Sequence, residues 1–157
     1  MGLAPIAPVR SLKSATRQAQ LKAARTCYDH LAGQLGTALT DAMVDRGWLT
    51  FDATYDVLAL TPDGARQAQA WGWAMDLHHR TPLVRPCLDW SERRYHVAGQ
   101  VGRSLAQWMF AQEWIVRGTA PRVVLVTEDG RHALETWFGL SWPLSERVSG
   151  EQPVSGR

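Results

Sequence analysis

Apolar residues recur three or four apart at Leu31, Leu35, Leu39, Ala42 and Met43, which predicts an amphipathic helix over about 29–46. Asp29 stands where an N-cap belongs, and Gly47 stands where helices commonly stop. Trp48 and Leu49 then open a short strand, the polar residues 50–56 form a tip, and 57–60 return as the second strand of a hairpin. Thr61-Pro62-Asp63-Gly64 starts another helix, which runs to about Trp73. Thr is a good N-cap, and Pro is favoured at the first helical position. A further helix over about 11–24 precedes this set.

The same pattern occurs twice. A shift of 66 residues lays His30 on His96 and carries the match without a gap to Trp71 on Trp137, with thirteen of 42 positions identical. Identical pairs include Gly33/Gly99, Gly36/Gly102, Trp48/Trp114, Thr61/Thr127 and Gly64/Gly130. Upstream, RTCYD at 25–29 lies over RPCLD at 85–89, so the second copy holds a six-residue insertion within WSERRY. Such ordered similarity marks a duplication. The second copy is expected as helix 95–112, strand 114–117, tip 118–122, strand 123–126 and helix 128–138, with Thr127 as cap. The glycine pairs inside the long helices lower helix propensity and point to close packing there. The expected fold is α+β: tandem winged-helix-like repeats at 28–76 and 87–144, joined by a linker at 77–86. A basic linker helix over 11–27 precedes them, and disordered ends are expected at 1–10 and 145–157.

Composition narrows the class. The 157 residues, 45% hydrophobic and 20% charged, suit a soluble globular protein. No apolar run is long enough to span a bilayer, and the N-terminus lacks the apolar core of a secretory signal, so neither a membrane partner nor export is expected. Two cysteines make no disulfide scaffold and fit a reducing cytoplasm. The net charge of +2 is uneven: residues 1–28 hold five basic groups and no acid, which leaves the rest mildly acidic. That balance is not the footprint of a self-sufficient nucleic-acid binder. No nucleophile–base–acid set, phosphate-binding glycine loop or HExxH motif occurs, so no enzyme is expected.

Helix, two-stranded wing, LTxxG and helix resemble the back half of the winged helix of MarR-type and PadR-type regulators, in which the helix before the wing often reads the major groove. The readers here would show Gln34, Thr37, Asp41 and Asp45 in one copy and Gln100, Arg103, Gln107 and Glu113 in the other, faces that are acidic or nearly neutral. The wording of the repeats is more specific. ARTCYDHLAGQLG, GWL, LTPDG, RPCLDWSERRYHVAGQVG, EWI, VTEDG and FGL together resemble the C-terminal region of a group of bacterial ArsR-type transcriptional regulators, over about Val9 to Leu144. The resemblance implies an effector-sensing and dimerisation domain, working as a homodimer. A small molecule or metal acts as effector, and an N-terminal helix-turn-helix domain supplies the contact with DNA. The sequence departs from that family in showing only residues 1–10 ahead of the linker helix, so a chain lacking the DNA-binding domain is expected. Two other readings stand beside it. One is a structural self-association module without a sensing role. The other is a small tandem winged-helix protein that contacts DNA directly through Arg10, Lys13, Arg17 and the wings.

Both copies place a Cys before a His: Cys27-x2-His30 and Cys87-x8-His96. If the copies pack about a pseudo-two-fold axis, equivalent positions near it approach each other. Two thiolates and two imidazoles then complete a tetrahedral site for a soft metal ion such as Zn²⁺. The x8 spacing is not a usual chelate spacing, and buried structural thiols or a thiol redox pair are the competing readings. The insertion supplies a second candidate: Trp90, Arg93 and Arg94, with Arg85, either pair their charges internally with Glu92 or line a cleft for an anionic effector. His78 and His79 fall in the linker and are expected in solvent. Of eight Trp, Trp48/Trp114 and Trp71/Trp137 form duplicated pairs read as core anchors. Trp73, Trp90, Trp108 and Trp142 are unpaired and mark places for a pocket or a dimer contact.

Overall fold

The computed structural model describes residues 9–145. Helix α1 (Val9–Ala23) leads into a short hairpin of β1 (Arg25–Cys27) and β2 (His30–Ala32), then α2 (Gly33–Asp45), the wing β3 (Leu49–Asp52) and β4 (Val57–Leu60), and α3 (Pro62–Ala70). The second copy repeats this order: β5 (Arg85–Leu88), β6 (Tyr95–Ala98), α4 (Gly99–Ala111), β7 (Ile115–Arg117), β8 (Val124–Val126) and α5 (Glu128–Phe138). The fold is α+β, with four antiparallel two-stranded sheets among the described residues. Apart from residues 9, 10 and 145, the ends expected to be disordered lie outside the described residues, and α1 begins at Val9 rather than near residue 11. No helix among the described residues is long and apolar enough to cross a membrane.

The wings and the helices after them fall where the pattern placed them. Thr61 and Thr127 cap α3 and α5, their hydroxyls accepting from the N–H of Gly64 at 2.9 Å and of Gly130 at 3.0 Å. Each hydroxyl also donates back to a carbonyl just before the wing, Gly47 O in one copy and Glu113 O in the other. The caps therefore tie helix to wing as well as satisfying helix N–H groups. Thr127→Ala is expected to lower stability by about 1 kcal/mol, the usual scale for losing such a cap, read as a shifted midpoint in urea unfolding with unchanged slope.

The starts of the long helices differ from the expectation. Residues 30–32 and 95–98 are strands, and the helices begin at Gly33 and Gly99, where φ is +76° and +78°. A left-handed residue cannot continue a right-handed helix upstream, so the chain turns there, and glycine tolerates the turn. Asp29 consequently does not cap α2; its N-cap residue is Ala32, which makes no side-chain cap bond. Periodicity hid the strand because His30, Leu31 and Ala32 are all buried, leaving no alternation to detect.

The copies pack reciprocally. Helix α2 lies against β6 of the second copy, and α4 against β2 of the first. The core runs through both, from Leu35, Leu39 and Met43 of α2 to Val101, Leu105 and Met109 of α4. Backbone bonds also cross: Thr26 donates to Arg122 O at 2.9 Å, and Val124 to Ala24 O at 3.1 Å. Gln100, 2% exposed, holds the linker by donating to Asp76 O and Thr81 O and accepting from the Asp76 N–H. His78 and His79 are exposed, as expected.

Six of the eight tryptophans, Trp48, Trp71, Trp73, Trp108, Trp114 and Trp137, form one cluster rather than two separate anchors. Trp108 stacks on Trp71 at 4.7 Å between centroids and meets Trp114 edge-on at 4.7 Å, and Trp73 closes on both Trp71 and Trp108. Trp71, Trp73 and Trp108 line a cleft of about 460 Å³ with Arg103 and Gln107. Trp137, read as a core anchor, is 42% exposed at the edge of the cluster, because α5 turns that face outward.

Candidate functional site

Cys27 and His30 are directly opposite each other in the β1–β2 hairpin, and Cys87 and His96 are directly opposite each other in the β5–β6 hairpin. The x2 and x8 spacings therefore describe the same cross-strand pair, closed by a short turn in one copy and a longer loop in the other. Where the two hairpins meet, equivalent residues face each other: His30 Nε2 lies 2.9 Å from His96 Nε2, and Cys27 Sγ lies 4.0 Å from Cys87 Sγ. One donor atom from each of these four residues falls within 4.8 Å of every other. Both histidines are 1% exposed, and both thiols are half-buried.

The outer nitrogen of each ring is held by a carboxylate. Asp29 Oδ1 lies 3.1 Å from His30 Nδ1, and Asp89 Oδ2 lies 2.9 Å from His96 Nδ1. The sequence pattern offers Asp29 as a helix cap and gives Asp89 no role; it places neither beside a histidine. The signal was present, since RTCYD and RPCLD each put an Asp two residues after the Cys.

The acids are not equal. Asp89 is fully buried at the mouth of the insertion loop. It accepts from Gly33 N at 2.7 Å, Arg25 Nη2 at 2.9 Å, Ser91 Oγ at 2.8 Å, and the backbone N–H groups of Ser91 and Glu92. Burial pushes its pKa up, but the Gly33 N–H, the Ser91 side chain, the Arg25 charge and the Glu92 N–H outweigh that and hold the carboxyl well below the usual carboxylate range. Arg25, one of the five basic groups in residues 1–28, is 1% exposed. Its guanidinium also donates to Leu21 O in α1 and to Ser91 Oγ, and lies 4.2 Å from the Trp90 ring centroid.

Burial lowers the pKa of both histidines; for His96, burial and the neighbouring His30 bring it to about 4 although Asp89 opposes them. Burial and Cys27 raise the Cys87 thiol to about 11. Burial thus favours the neutral imidazole at His30 and His96 and the protonated thiol at Cys87.

The other sequence candidates are dispersed. Arg94 pairs with Asp41 and donates to Thr37 Oγ1 at 3.1 Å, on the wall of a cleft of about 620 Å³ between α2 and the segment after α5. Arg85 and Arg93 are exposed, and Trp90, 68% exposed, covers Arg25. Lys13 and Arg17 are exposed on α1, while the Arg10 side chain lies outside the described residues. On the faces considered for groove reading, Thr37 and Gln100 are buried, so α2 and α4 spend those positions on the core.

Over 136 residues, 85% of its length, the chain is 39% identical to the uncharacterized HTH-type transcriptional regulator YdfF of Bacillus subtilis (strain 168). The chain is similar to a transcriptional regulator. The match spans 59% of that regulator's length. No family model matches the chain, and no solved structure matches it.

Proposed function

We propose that this chain is the effector-sensing and dimer-supporting part of a transcriptional regulator of the ArsR type, with operator binding supplied by a separate helix-turn-helix domain. The observation that carries this reading is the 39% identity to an HTH-type regulator over 136 residues. The geometry supports the sensing role. A ligand held between His30 and His96 bears on Asp89, Asp89 holds Arg25, and Arg25 grips the carbonyl of Leu21 in α1. Occupancy of the site then shifts the equilibrium position of α1, which joins the sensing part to the reading part. Residues 12–19 of α1 are all exposed, and Leu12, Ala15 and Ala19 recur at i, i+3 and i+7, an apolar stripe suited to a second copy.

Deleting the gene in its own host is expected to change the transcripts of a small set of operons by several-fold, and wild-type complementation is expected to restore them. A deletion strain with an unchanged transcript profile overturns the regulator reading. Salt-dependent binding of this chain alone to duplex DNA would instead favour direct contact through Lys13 and Arg17.

A further inference from the structure

We propose that Cys27, His30, Cys87 and His96 form a closed tetrahedral site for a d¹⁰ divalent cation of the zinc class, bound through both Sγ atoms and both Nε2 atoms. The inference names the ligand of the sensing site; only its regulatory consequence rests on the regulator reading.

The two imidazoles carry the first part of the argument. Each Nδ1 faces a carboxylate, Asp29 at 3.1 Å and Asp89 at 2.9 Å, so each ring's proton belongs on Nδ1. Both Nε2 lone pairs then point at each other across 2.9 Å in a buried space. Two lone pairs at that distance repel unless a positive charge lies between them. That charge is either a proton shared by the rings or a metal ion.

The cysteines decide between these. A shared proton gives no reason for two sulfur atoms beside the pair. A soft cation does, because two sulfurs and two imidazole nitrogens are a preferred donor set for zinc. The Sγ···Sγ distance of 4.0 Å compares with about 3.8 Å for the edge of a tetrahedron with zinc–sulfur bonds. The Nε2···Nε2 distance of 2.9 Å compares with about 3.3 Å for the corresponding nitrogen edge. The whole set lies within 4.8 Å, so shifts of about 1 Å that draw sulfur towards nitrogen and part the two Nε2 atoms slightly bring it to zinc bond lengths.

Charge balances as well. Each thiol gives its proton to solvent on binding, and two thiolates neutralise one divalent ion, leaving no net charge among the four ligands. Four protein ligands leave no open position, so the site holds an ion rather than catalysing at it. Because each copy contributes one Cys and one His, the ion joins the two halves of the molecule at their pseudo-two-fold axis.

Titrating reduced, chelator-treated full chain with Co²⁺ tests this. The expected result is one equivalent per chain, with strong visible bands of tetrahedral cobalt, a near-ultraviolet thiolate-to-cobalt band, and displacement of both by Zn²⁺. The double variant Cys27→Ser/Cys87→Ser is expected to lose the charge-transfer band while keeping its far-ultraviolet dichroism. Asp29→Ala, on a half-exposed side chain, is expected to weaken binding by about 10–100-fold without changing the stoichiometry, as for other carboxylates that orient a ligating His. A wild-type chain that shows neither band nor a Zn²⁺-dependent rise in unfolding temperature overturns the site, leaving a shared proton. Bands unchanged in the double variant also overturn it. Cobalt bound at one equivalent with transcripts unaffected by gene deletion keeps the site and removes the regulator reading; altered transcripts without cobalt binding do the reverse.

Discussion

Asp89→Ala is expected to destabilise the metal-free fold by about 3–5 kcal/mol, the range for removing one partner of a buried ion pair. The cost comes from what remains. Arg25, 1% exposed, would keep its charge with no counter-charge at contact distance, and the Gly33 N–H at the turn into α2 would lose its acceptor. The loss is large against the roughly 5–15 kcal/mol that holds a typical domain together. Asp29→Ala removes one bond to a carboxylate that is 33% exposed, and about 1 kcal/mol or less is expected there. Urea unfolding of both variants, read as midpoints at constant slope, makes the comparison. A loss at Asp89 no larger than at Asp29 would show that Arg25 finds other compensation and that the Asp89–Arg25 pair does not couple α1 to the site.

Gly102→Ala is expected to cost about 1–3 kcal/mol, opposite in sign to the effect usual for a glycine inside a helix. A Cβ there would stand 2.4 Å from Val97 O, 3.0 Å from Val97 C and 3.1 Å from His30 Cβ. The first two are backbone of the strand that carries His96, so relief requires moving β6 or parting the helix from it. Gly36 meets the same obstruction in the first copy, with Leu31 O at 2.4 Å and His96 Cβ at 3.5 Å. The glycine pairs in the sequence do mark close packing: Gly36 and Gly102 bring helix against strand and opposing histidine, Gly33 brings α2 against the last carbonyls of α1, and Gly99 meets the linker at Pro82 and Leu83. Thermal and urea unfolding of Gly102→Ala give the sign; a more stable variant would mean that the strand yields freely.

The legible parts of the fold rest on local chemistry that appears twice. The Thr caps, the wing hairpins and the last helices follow from contacts within a few residues, and duplication gave each an independent second reading. The first hairpin of each copy was not legible. Its second strands, β2 and β6, owe their form to burial on both sides and to the left-handed glycine that follows, neither of which leaves a period in the sequence. The same blindness hid the roles of Arg25 and Asp89, which are 64 positions apart and meet only because the insertion loop folds back over the end of α1.

What the sequence alone determined is the repeat, its element order, the α+β class, and the presence of one Cys and one His at matching places in both copies. Tertiary structure alone decided that those four residues converge. Spacing along the chain measures chelation only when the ligands share one turn or one helix. Here each Cys–His pair is set by cross-strand register, which a loop of any length preserves, and the two pairs are set against each other by an interface between copies.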